Sequence, residues 1–396
     1  MPKKRIIMDK PFKIAYITPQ LYTADGVARV LTMKANYFAE KFNYDITIIL
    51  TEGKDKPLFY QLSDKIHIVN LDLNFEEMWH QSFFRKTFIY LKKQYRFKHL
   101  LNKELMQLRP DIAITLLRRE INFINDIKDG SKKIGELHVN RDNYRNFEKV
   151  DANLIKNIFA KYWMNSLIRH LKRLDKFIVL TEEDRHNWTE LDNVAIIPNP
   201  LPFTPKTISP LTEKRVIAVG RYVYQKGFDL LLKAWLIVEK TCPEWTLVIM
   251  GDGNRSEYET LVDKLHLDKT RCKLLGRTEH IQDEYMRSSI LVMSSRFEGF
   301  GMVLVEAMAC GLPVVSFECP CGPKDIIQDR IDGILVENGN VEKLAEAMIW
   351  MIRHPEQLKV MSKNAINNVH RFNMDKIACQ WKQLFEELTQ EGITNS

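Results

Sequence analysis

The sequence has no long apolar run. No stretch approaches the ~18 uncharged apolar residues of a membrane-spanning helix. Its first residues, MPKKRIIMDKPFKIAYITP, are basic but contain no apolar run that ends at a small-residue cleavage site, so we expect no signal peptide. Cysteine is also sparse: six residues are scattered over 396 positions, which is typical of free thiols in a reducing compartment. These absences predict a cytoplasmic protein without a disulfide framework.

Signatures of metal and dinucleotide chemistry are missing as well. Cys319-Pro-Cys321 lacks the two-residue gap and the second cysteine pair of a zinc site. The loop after the first predicted strand lacks the spaced glycines of dinucleotide-binding enzymes, which argues against a nicotinamide-dependent oxidoreductase. No Asp-x-Asp loop is poised to carry a divalent cation. We therefore expect no metal site and no cofactor.

Short β-branched apolar runs alternate with longer amphipathic stretches in both halves of the chain. This alternation is typical of parallel sheets with helical crossovers. A run with five prolines and no helical period, residues 195–210, separates the halves and predicts a linker. Strands are predicted at 13–18, 45–50, 66–71, 111–117, 132–138 and 176–181 before the linker, and at 215–220, 245–251, 272–276, 290–294, 313–317 and 333–336 after it.

The alternation predicts an α/β protein with two doubly wound Rossmann-like domains that face each other across a cleft. We place an N-terminal domain at residues 1–198 and a C-terminal domain at 199–373. The last helix, within 374–396, is amphipathic, and we expect it to pack back onto the first domain. Such domains suggest a nucleotide ligand but no particular chemistry.

A glycine-rich loop stands out in the second half, within RFEGFGMVLVEAMACGLPVV (296–315). Gly299 and Gly301 let the backbone turn sharply, and a helix is predicted from Met302, whose free amides would seat a phosphate. Glu298 and Glu306 flank this seat, and carboxylates accept hydrogen bonds from sugar hydroxyls. The alternative makes Glu306 a partner of the helix dipole near the first turn and Glu298 a solvated loop charge.

Two cations follow a predicted strand in RVIAVGRYVYQKGFDLLLKAW (215–235). Arg221 comes directly after the strand end, and Lys226 precedes the next helix. Arg with its planar fork and Lys as a point charge can together bind a diphosphate at the top of a sheet. Either residue alone would more often be an exposed surface charge.

These motifs resemble the donor domain of the retaining GT-B glycosyltransferases of family 4. The resemblance runs in order through VGRYVYQKGFDLLLKAW, VIMGDGN, LLGRTEHIQDEYMRSS, the glycine-rich loop and DGILVENGNVEKLAEAM, and covers roughly residues 195–350. The first domain is similar more loosely, through its opening strand and loop, GELHVN and VLTEED. The resemblance implies the GT-B fold and a nucleotide-sugar donor.

The resemblance also implies a role for single residues. Catalytic positions beside the reacting sugar would be His138 and Glu298, and Glu306 would hold the ribose hydroxyls. Gly26 would bring its backbone to the diphosphate, although Asp25 in Ala24-Asp25-Gly26 departs from the two glycines of many relatives. The remaining donor-binding positions are Arg221 and Lys226 on the diphosphate, Gly276 and Arg277 against the base, and the loop Gly299, Phe300, Gly301, Met302, Val303 and Leu304 on sugar and phosphate.

The resemblance implies a metal-independent transferase that retains anomeric configuration. The expected donor is a nucleotide diphosphate sugar, with UDP as the nucleotide, and the expected acceptor is a glycan of the lipid-linked, lipopolysaccharide or capsule type. Two alternatives stay open: a sugar-nucleotide epimerase of GT-B fold, and a non-catalytic nucleotide-sugar-binding subunit.

The basic excess lies entirely in the first half. Residues 1–200 contain 34 Lys and Arg against 25 Asp and Glu, whereas 201–396 contain 24 against 26. Two basic stretches with aromatic residues, 81–109 and 155–174, are typical of helices that rest on an anionic membrane surface. They favour peripheral attachment at the inner face of the plasma membrane, and the alternative is a solvated basic face. No recognised nucleic-acid-binding fold is present, so we expect no nucleic acid partner.

Overall fold

The computed structural model describes residues 11–78, 82–144 and 154–394. In these ranges the first half of the chain forms one parallel sheet with the strand order β3-β2-β1-β4-β5-β6-β7. Successive residues of its strands alternate between two apolar clusters, one on each face of the sheet. The strands are β1 Lys13–Thr18, β2 Asp45–Leu50, β3 Ile66–Asn70, β4 Ile112–Thr115, β5 Lys132–Glu136, β6 Lys176–Val179 and β7 Val194–Ile196.

Four described helices connect these strands. The first is capped by Asp25, whose side chain accepts a hydrogen bond from the amide of Ala28. It packs on one face of the sheet, and the two longest of the others pack on the opposite face. The helices are α1 Gly26–Lys41, α2 Phe83–Leu108, α3 Leu154–Leu171 and α4 Glu182–Asn187.

A second parallel sheet follows with the order β10-β9-β8-β11-β12-β13. A single apolar cluster joins this sheet to its helices. The strands are β8 Arg215–Val219, β9 Thr246–Met250, β10 Cys272–Leu275, β11 Ile290–Met293, β12 Val314–Phe317 and β13 Gly333–Val336. The helices of this domain are α5 Phe228–Thr241, α6 Ser256–Lys264, α7 Ile281–Met286, α8 Met302–Ala309, α9 Pro323–Ile326, α10 Val341–Arg353 and α11 Pro355–Val369, and α12 Met374–Thr394 follows them.

The predicted fold class is confirmed: both halves are doubly wound parallel sheets of the Rossmann type. In each sheet the strand order reverses once, between β1 and β4 in the first and between β8 and β11 in the second. Ligands of such folds bind outside the carboxyl ends of the strands at this reversal. One boundary differs from the prediction, because the segment predicted as a linker from residue 195 begins inside β7, which pairs with β6. The prolines all follow this short strand, so their density obscured it.

The chain crosses between the two halves at two neighbouring places. The first crossing follows β7, and the second precedes α12. The amide of Leu201 in the first donates to the backbone oxygen of Phe372 in the second at 2.8 Å. After the second crossing, α12 packs against α1 and buries Trp381 and Phe385 in the apolar cluster of the first sheet.

Phe385 anchors α12, since its ring contacts Phe38 of α1 with centroids 5.8 Å apart. We expect Phe385→Ala to lower the free energy of unfolding by about 3–5 kcal/mol, because it leaves a cavity in a fully buried aromatic cluster. Urea denaturation followed by circular dichroism measures the change. Gln380→Ala, at an exposed position of the same helix, is the matched control and should stay within about 0.5 kcal/mol. Equal effects would contradict the packing of α12 on α1.

Candidate active site

The loop between β11 and α8 brings the carboxylate that was predicted to contact the sugar next to a cation that was predicted to bind the diphosphate. Glu298 lies in this loop and is 6% exposed. Lys226 Nζ donates to Glu298 Oε1 at 2.6 Å, and Ser295 Oγ donates to the same oxygen at 2.6 Å. A buried carboxylate is tolerated when it is paired and hydrogen-bonded. Lys226 and Ser295 therefore hold the Glu298 side chain in one orientation.

The first domain lies directly against this loop. At Gly299 an added Cβ would lie 2.3 Å from the backbone oxygen of His138, so a residue without a side chain is required here. Asn140 Nδ2 also donates to the backbone oxygen of Glu298 at 3.0 Å. The ring of His138 is largely buried, with Nε2 at 3.3 Å from Glu136 Oε1. Asn140 was not predicted from the sequence, although it lies in the same GELHVN segment as His138.

The rest of the loop, from Phe300 to Leu304, presents mainly its backbone. The side chains of Phe300 and Leu304 are buried in the core of the second domain, and those of Met302 and Val303 are half-buried. Gly301 caps α8 with φ at 96°, a left-handed conformation that favours glycine. Since the first amides of a helix have no intrahelical acceptor, this segment can offer N–H groups to an anion.

Glu306 forms a contact between the domains. It lies in the second turn of α8, deeper than the first turn that was predicted from the sequence, and is 4% exposed. Arg29 Nη1 of α1 donates to its Oε1 at 2.8 Å, and Tyr285 Oη donates to its Oε2 at 3.0 Å. Burial raises the pKa of Glu306, and Arg29 and Tyr285 oppose that shift. The sequence offered one signal for Arg29, its position one helical turn after Gly26.

The two predicted diphosphate cations differ in their surroundings. Gly220 makes room for the Lys226 side chain, because a Cβ there would lie 3.1 Å from its carbons. Lys226 is thereby held close to Glu298. Arg221 is exposed, and no acidic partner is found for it within the described part of the chain. Arg221 is thus available to an external anion, whereas Lys226 would be shared with Glu298.

Gly276 and Arg277 follow β10 at the rim of the site, and both are exposed. The guanidinium carbon of Arg277 lies 4.9 Å from the ring centroid of Phe59 in the first domain. Phe59 is 42% exposed and contacts Tyr60 edge to face. Aromatic rings and guanidinium planes are groups on which a base can stack. Phe59 was not predicted from the sequence because the contact forms only between domains.

Gly26 begins α1 and faces open space, with no atom within 4 Å of an added Cβ. The neighbouring Asp25 carboxylate accepts hydrogen bonds from the Ala28 amide at 2.8 Å and from Thr23 Oγ1 at 2.5 Å. The charge that departs from the family pattern is therefore engaged as a helix cap.

Residues 11–78, 82–144 and 154–394 contain neither a metal-binding cluster nor a membrane-spanning helix. No three His, Cys, Asp or Glu side chains in these ranges lie close enough together to hold a metal ion. None of their helices is both long and apolar enough to cross a bilayer.

Known proteins resemble the chain along most of its length. Residues 203–368 match the family described as "Glycosyl transferases group 1". The chain is 29% identical over 386 residues to an uncharacterized glycosyltransferase of Haemophilus influenzae, which covers 93% of this chain and 99% of that protein. It is 25% identical over 390 residues to the Campylobacter jejuni GalNAc-alpha-(1->4)-GalNAc-alpha-(1->3)-diNAcBac-PP-undecaprenol alpha-1,4-N-acetyl-D-galactosaminyltransferase, covering 95% and 99%.

A solved structure resembles the whole chain. It is a mutant of S. aureus TarM in complex with fondaparinux, alpha-GlcNAc-glycerol and UDP, with a TM-score of 0.73 at 17% identity, covering 94% of this chain and 99% of that one. At this identity the likeness shows the fold. Together the findings show that residues 203–368 resemble group 1 glycosyltransferases and that the whole chain resembles glycosyltransferases at 25–29% identity, a likeness that does not favour the epimerase alternative.

The contact between Gly299 and His138 can be tested without a substrate. We expect Gly299→Ala to destabilise the protein by about 1–3 kcal/mol, because two backbones must separate to admit the methyl group. The melting temperature should fall accordingly. Gly276→Ala is the matched control, since it places a methyl group in open space and should leave the melting temperature unchanged. A Gly299→Ala protein as stable as the wild type would contradict the close approach.

Proposed function

We propose that the protein transfers a sugar from a UDP-sugar to a glycan acceptor of the cell envelope and retains the configuration of the anomeric carbon. The observation that carries this proposal is the contact of Lys226 with Glu298 at the strand-order reversal of the second sheet, where Arg221 follows β8 and α8 begins with Glu306 in its second turn. The positive charges of Arg221 and Lys226 suit a diphosphate, and the carboxyl groups of Glu298 and Glu306 suit the hydroxyls of two sugars.

The leaving diphosphate gains negative charge as the glycosidic bond breaks. Arg221, Lys226 and the amides at the start of α8 would neutralise this charge in place, which is the electrostatic part of the catalysis. The protein thereby stabilises the leaving group through its own residues, and we propose that turnover requires no metal ion.

Glu298 suits a positioning role better than that of a free nucleophile. Its Oε1 already accepts hydrogen bonds from Lys226 and Ser295, and its backbone oxygen is held by Asn140. We propose that the acceptor attacks from the same face as the departing phosphate, which takes the acceptor's proton. Glu298 and His138 would then orient the sugar and stabilise positive charge on it.

The relatives support the substrate classes. TarM was solved with UDP bound, which supports a uridine nucleotide as the leaving group. The Campylobacter jejuni relative is named for a glycan linked to undecaprenol through a diphosphate, which supports a lipid-linked acceptor. A poly(ribitol-phosphate) alpha-N-acetylglucosaminyltransferase of Staphylococcus aureus, 28% identical over 270 residues, supports polymers of the envelope more broadly.

A panel of nucleotides tests the donor first. We expect UDP to raise the melting temperature more than ADP, GDP, CDP and TDP at equal concentration, since a ligand that binds only the folded state stabilises it by mass action. UDP-sugars are then incubated with lipid-linked and soluble glycans, with and without EDTA. Turnover that survives chelation supports the proposal, and absence of binding by any nucleotide would refute it.

The two glutamates should separate binding from turnover. Glu306→Gln is expected to weaken UDP binding roughly 10- to 100-fold, because a hydrogen bond to a charged group contributes about 1.5–3 kcal/mol. Glu298→Gln releases Lys226 from its ion pair, so UDP affinity should stay equal or increase while turnover falls. Isothermal titration with UDP measures the affinities. Equal losses of UDP affinity in both variants would contradict these roles.

A membrane surface is a further part of the proposal, and α2 supplies the observations. Phe88, Leu91 and Tyr95 are 72%, 61% and 78% exposed, and their spacing places them on one side of the helix. Lys92 and Arg96 are exposed beside them. Apolar side chains flanked by cations are typical of helices that lie in the interface of an anionic membrane.

Other residues of the predicted basic segments do not contribute to this surface. Phe97 is 1% exposed and belongs to the core. Lys93 pairs with Glu77 and Lys98 with Asp126, so part of the basic charge is neutralised within the protein.

In the second basic segment, residues 155–174, the side chain of Tyr162 is 66% exposed. Position 81 and the side chains of residues 83, 84 and 155–160 lie outside the described part of the chain.

The exposed cations of α2 should strengthen binding to anionic vesicles. Each contributes up to ~1 kcal/mol near such a surface, so Lys92→Gln with Arg96→Gln should weaken binding by up to about 30-fold. Co-sedimentation with phosphatidylglycerol and phosphatidylcholine vesicles measures this. Lys93→Gln with Lys98→Gln removes the same charge from ion-paired positions and should have the smaller effect. Equal weak binding of all three proteins to both lipids would exclude the membrane surface.

A further inference from the structure

A buried ion pair lies behind the predicted catalytic histidine. Lys34 of α1 and Glu136 at the end of β5 are each 1% exposed, and Lys34 Nζ donates a hydrogen bond to Glu136 Oε1. Removing two charges from water is costly, and a pair of apolar residues of the same volume would often serve stability as well. A contribution to the stability of the fold is therefore a weak explanation for a buried ion pair at this position.

The strand geometry directs Glu136 toward His138. Residues two apart on a strand lie on the same side, and the pairing with β6 continues one residue past β5, because the amide of Leu137 donates to the backbone oxygen of Ile178. His138 Nε2 lies 3.3 Å from the oxygen that Lys34 also contacts, and this buried nitrogen has no hydrogen-bond partner among the described residues. An ionised carboxylate only accepts hydrogen bonds, so this approach is favourable when Nε2 carries the proton.

Charge keeps Glu136 able to accept a proton donor such as the Nε2–H group of His138. Burial alone would raise the pKa of Glu136, but Lys34 and His138 outweigh burial and lower that pKa to about 2. Burial lowers the pKa of Lys34, and Glu136 opposes this shift. Tyr16 of β1 also faces the pair, and its pKa is raised by burial and by the charge of Glu136. The phenol therefore stays neutral and leaves Glu136 as the anion of the cluster.

The cluster extends to the C-terminal helix. The ammonium of Lys34 lies 4.4 Å from the ring centroid of Trp381 in α12, and Trp381 is 1% exposed. A cation over the face of an indole is attracted by the ring and is held there most strongly when water is excluded. The helix that returns from the second domain thus contacts the residue that binds Glu136.

We propose that Lys34 and Glu136 are positioning residues that fix the ring of His138 with its proton on Nε2, so that Nδ1 is the hydrogen-bond acceptor of the neutral ring. A carboxylate close to one ring nitrogen favours the tautomer with the proton on that nitrogen. The effect on turnover rests on the proposed function, in which His138 lies beside the sugar. The predicted tautomer of the His138 ring does not depend on the proposed function.

The state of the ring can be read by nuclear magnetic resonance. Two-bond nitrogen–proton correlations of the full chain labelled with 15N-histidine distinguish the two tautomers, and His138→Asn identifies the signals. Recorded up to about pH 9, well above the ordinary imidazole pKa of about 6.5, the wild type should show the proton on Nε2. A neutral ring with its proton on Nδ1 would overturn the proposal.

The matched variants remove one buried ion pair each. Lys34→Met with Glu136→Leu should convert His138 to a mixture of tautomers and lower turnover of a UDP-sugar roughly 10- to 100-fold, the usual cost of losing such a supporting contact. UDP affinity should stay within about twofold. The control removes Lys133 and Asp129, a buried pair that also involves β5, as Lys133→Met with Asp129→Asn. It should leave the tautomer and turnover unchanged.

The outcomes separate this proposal from the proposed function. An unchanged tautomer in the folded Lys34→Met, Glu136→Leu protein would overturn the role of the pair. If that variant does not fold, the wild-type tautomer still decides between support and rejection. If the wild type turns over no UDP-sugar, the proposed function fails while the tautomer result stands.

Discussion

The buried carboxyl group of Glu298 is the group on which the site depends. It is nearly excluded from water, so it must be paired and hydrogen-bonded or it would destabilise the fold. Lys226 and Ser295 meet this requirement from the second domain, and Asn140 holds the backbone of the same residue from the first. The loop between β11 and α8 is thereby fixed by both halves of the chain. The geometry of this loop and the contact between the domains are consequently one arrangement.

Much of the fold and of the second domain could be predicted from the sequence. Apolar runs such as DITIIL and ILVMS carry the strand signal themselves, because a strand buried on both faces must be apolar throughout. The loop around Gly299 and the cations Arg221 and Lys226 were predicted as well, since their spacing along one segment reflects a single local structure. The assigned roles of these residues stay predictions.

The contributions of the first domain were harder to predict. Arg29, Asn140 and Phe59 reach the site only because the two sheets face each other, and no periodicity within one segment encodes that contact. The aromatic residues of α2 show a second limit. Tyr95 and Phe97 are two positions apart, about 200° around a helix, so one is exposed and the other buried. In a helix with aromatic residues on several sides, composition does not indicate which side faces the core.

The hydrogen bond between Leu201 and Phe372 has a mechanical consequence. The two stretches of backbone that join the domains run side by side at this point, so neither can bend without the other. Relative rotation of the sheets is therefore restricted to an axis through the paired segments, as in hinge motions generally. The displacement produced by a given rotation grows with distance from that axis. Atoms at the far rim, where Arg277 meets Phe59, would separate farther than atoms next to the paired backbones.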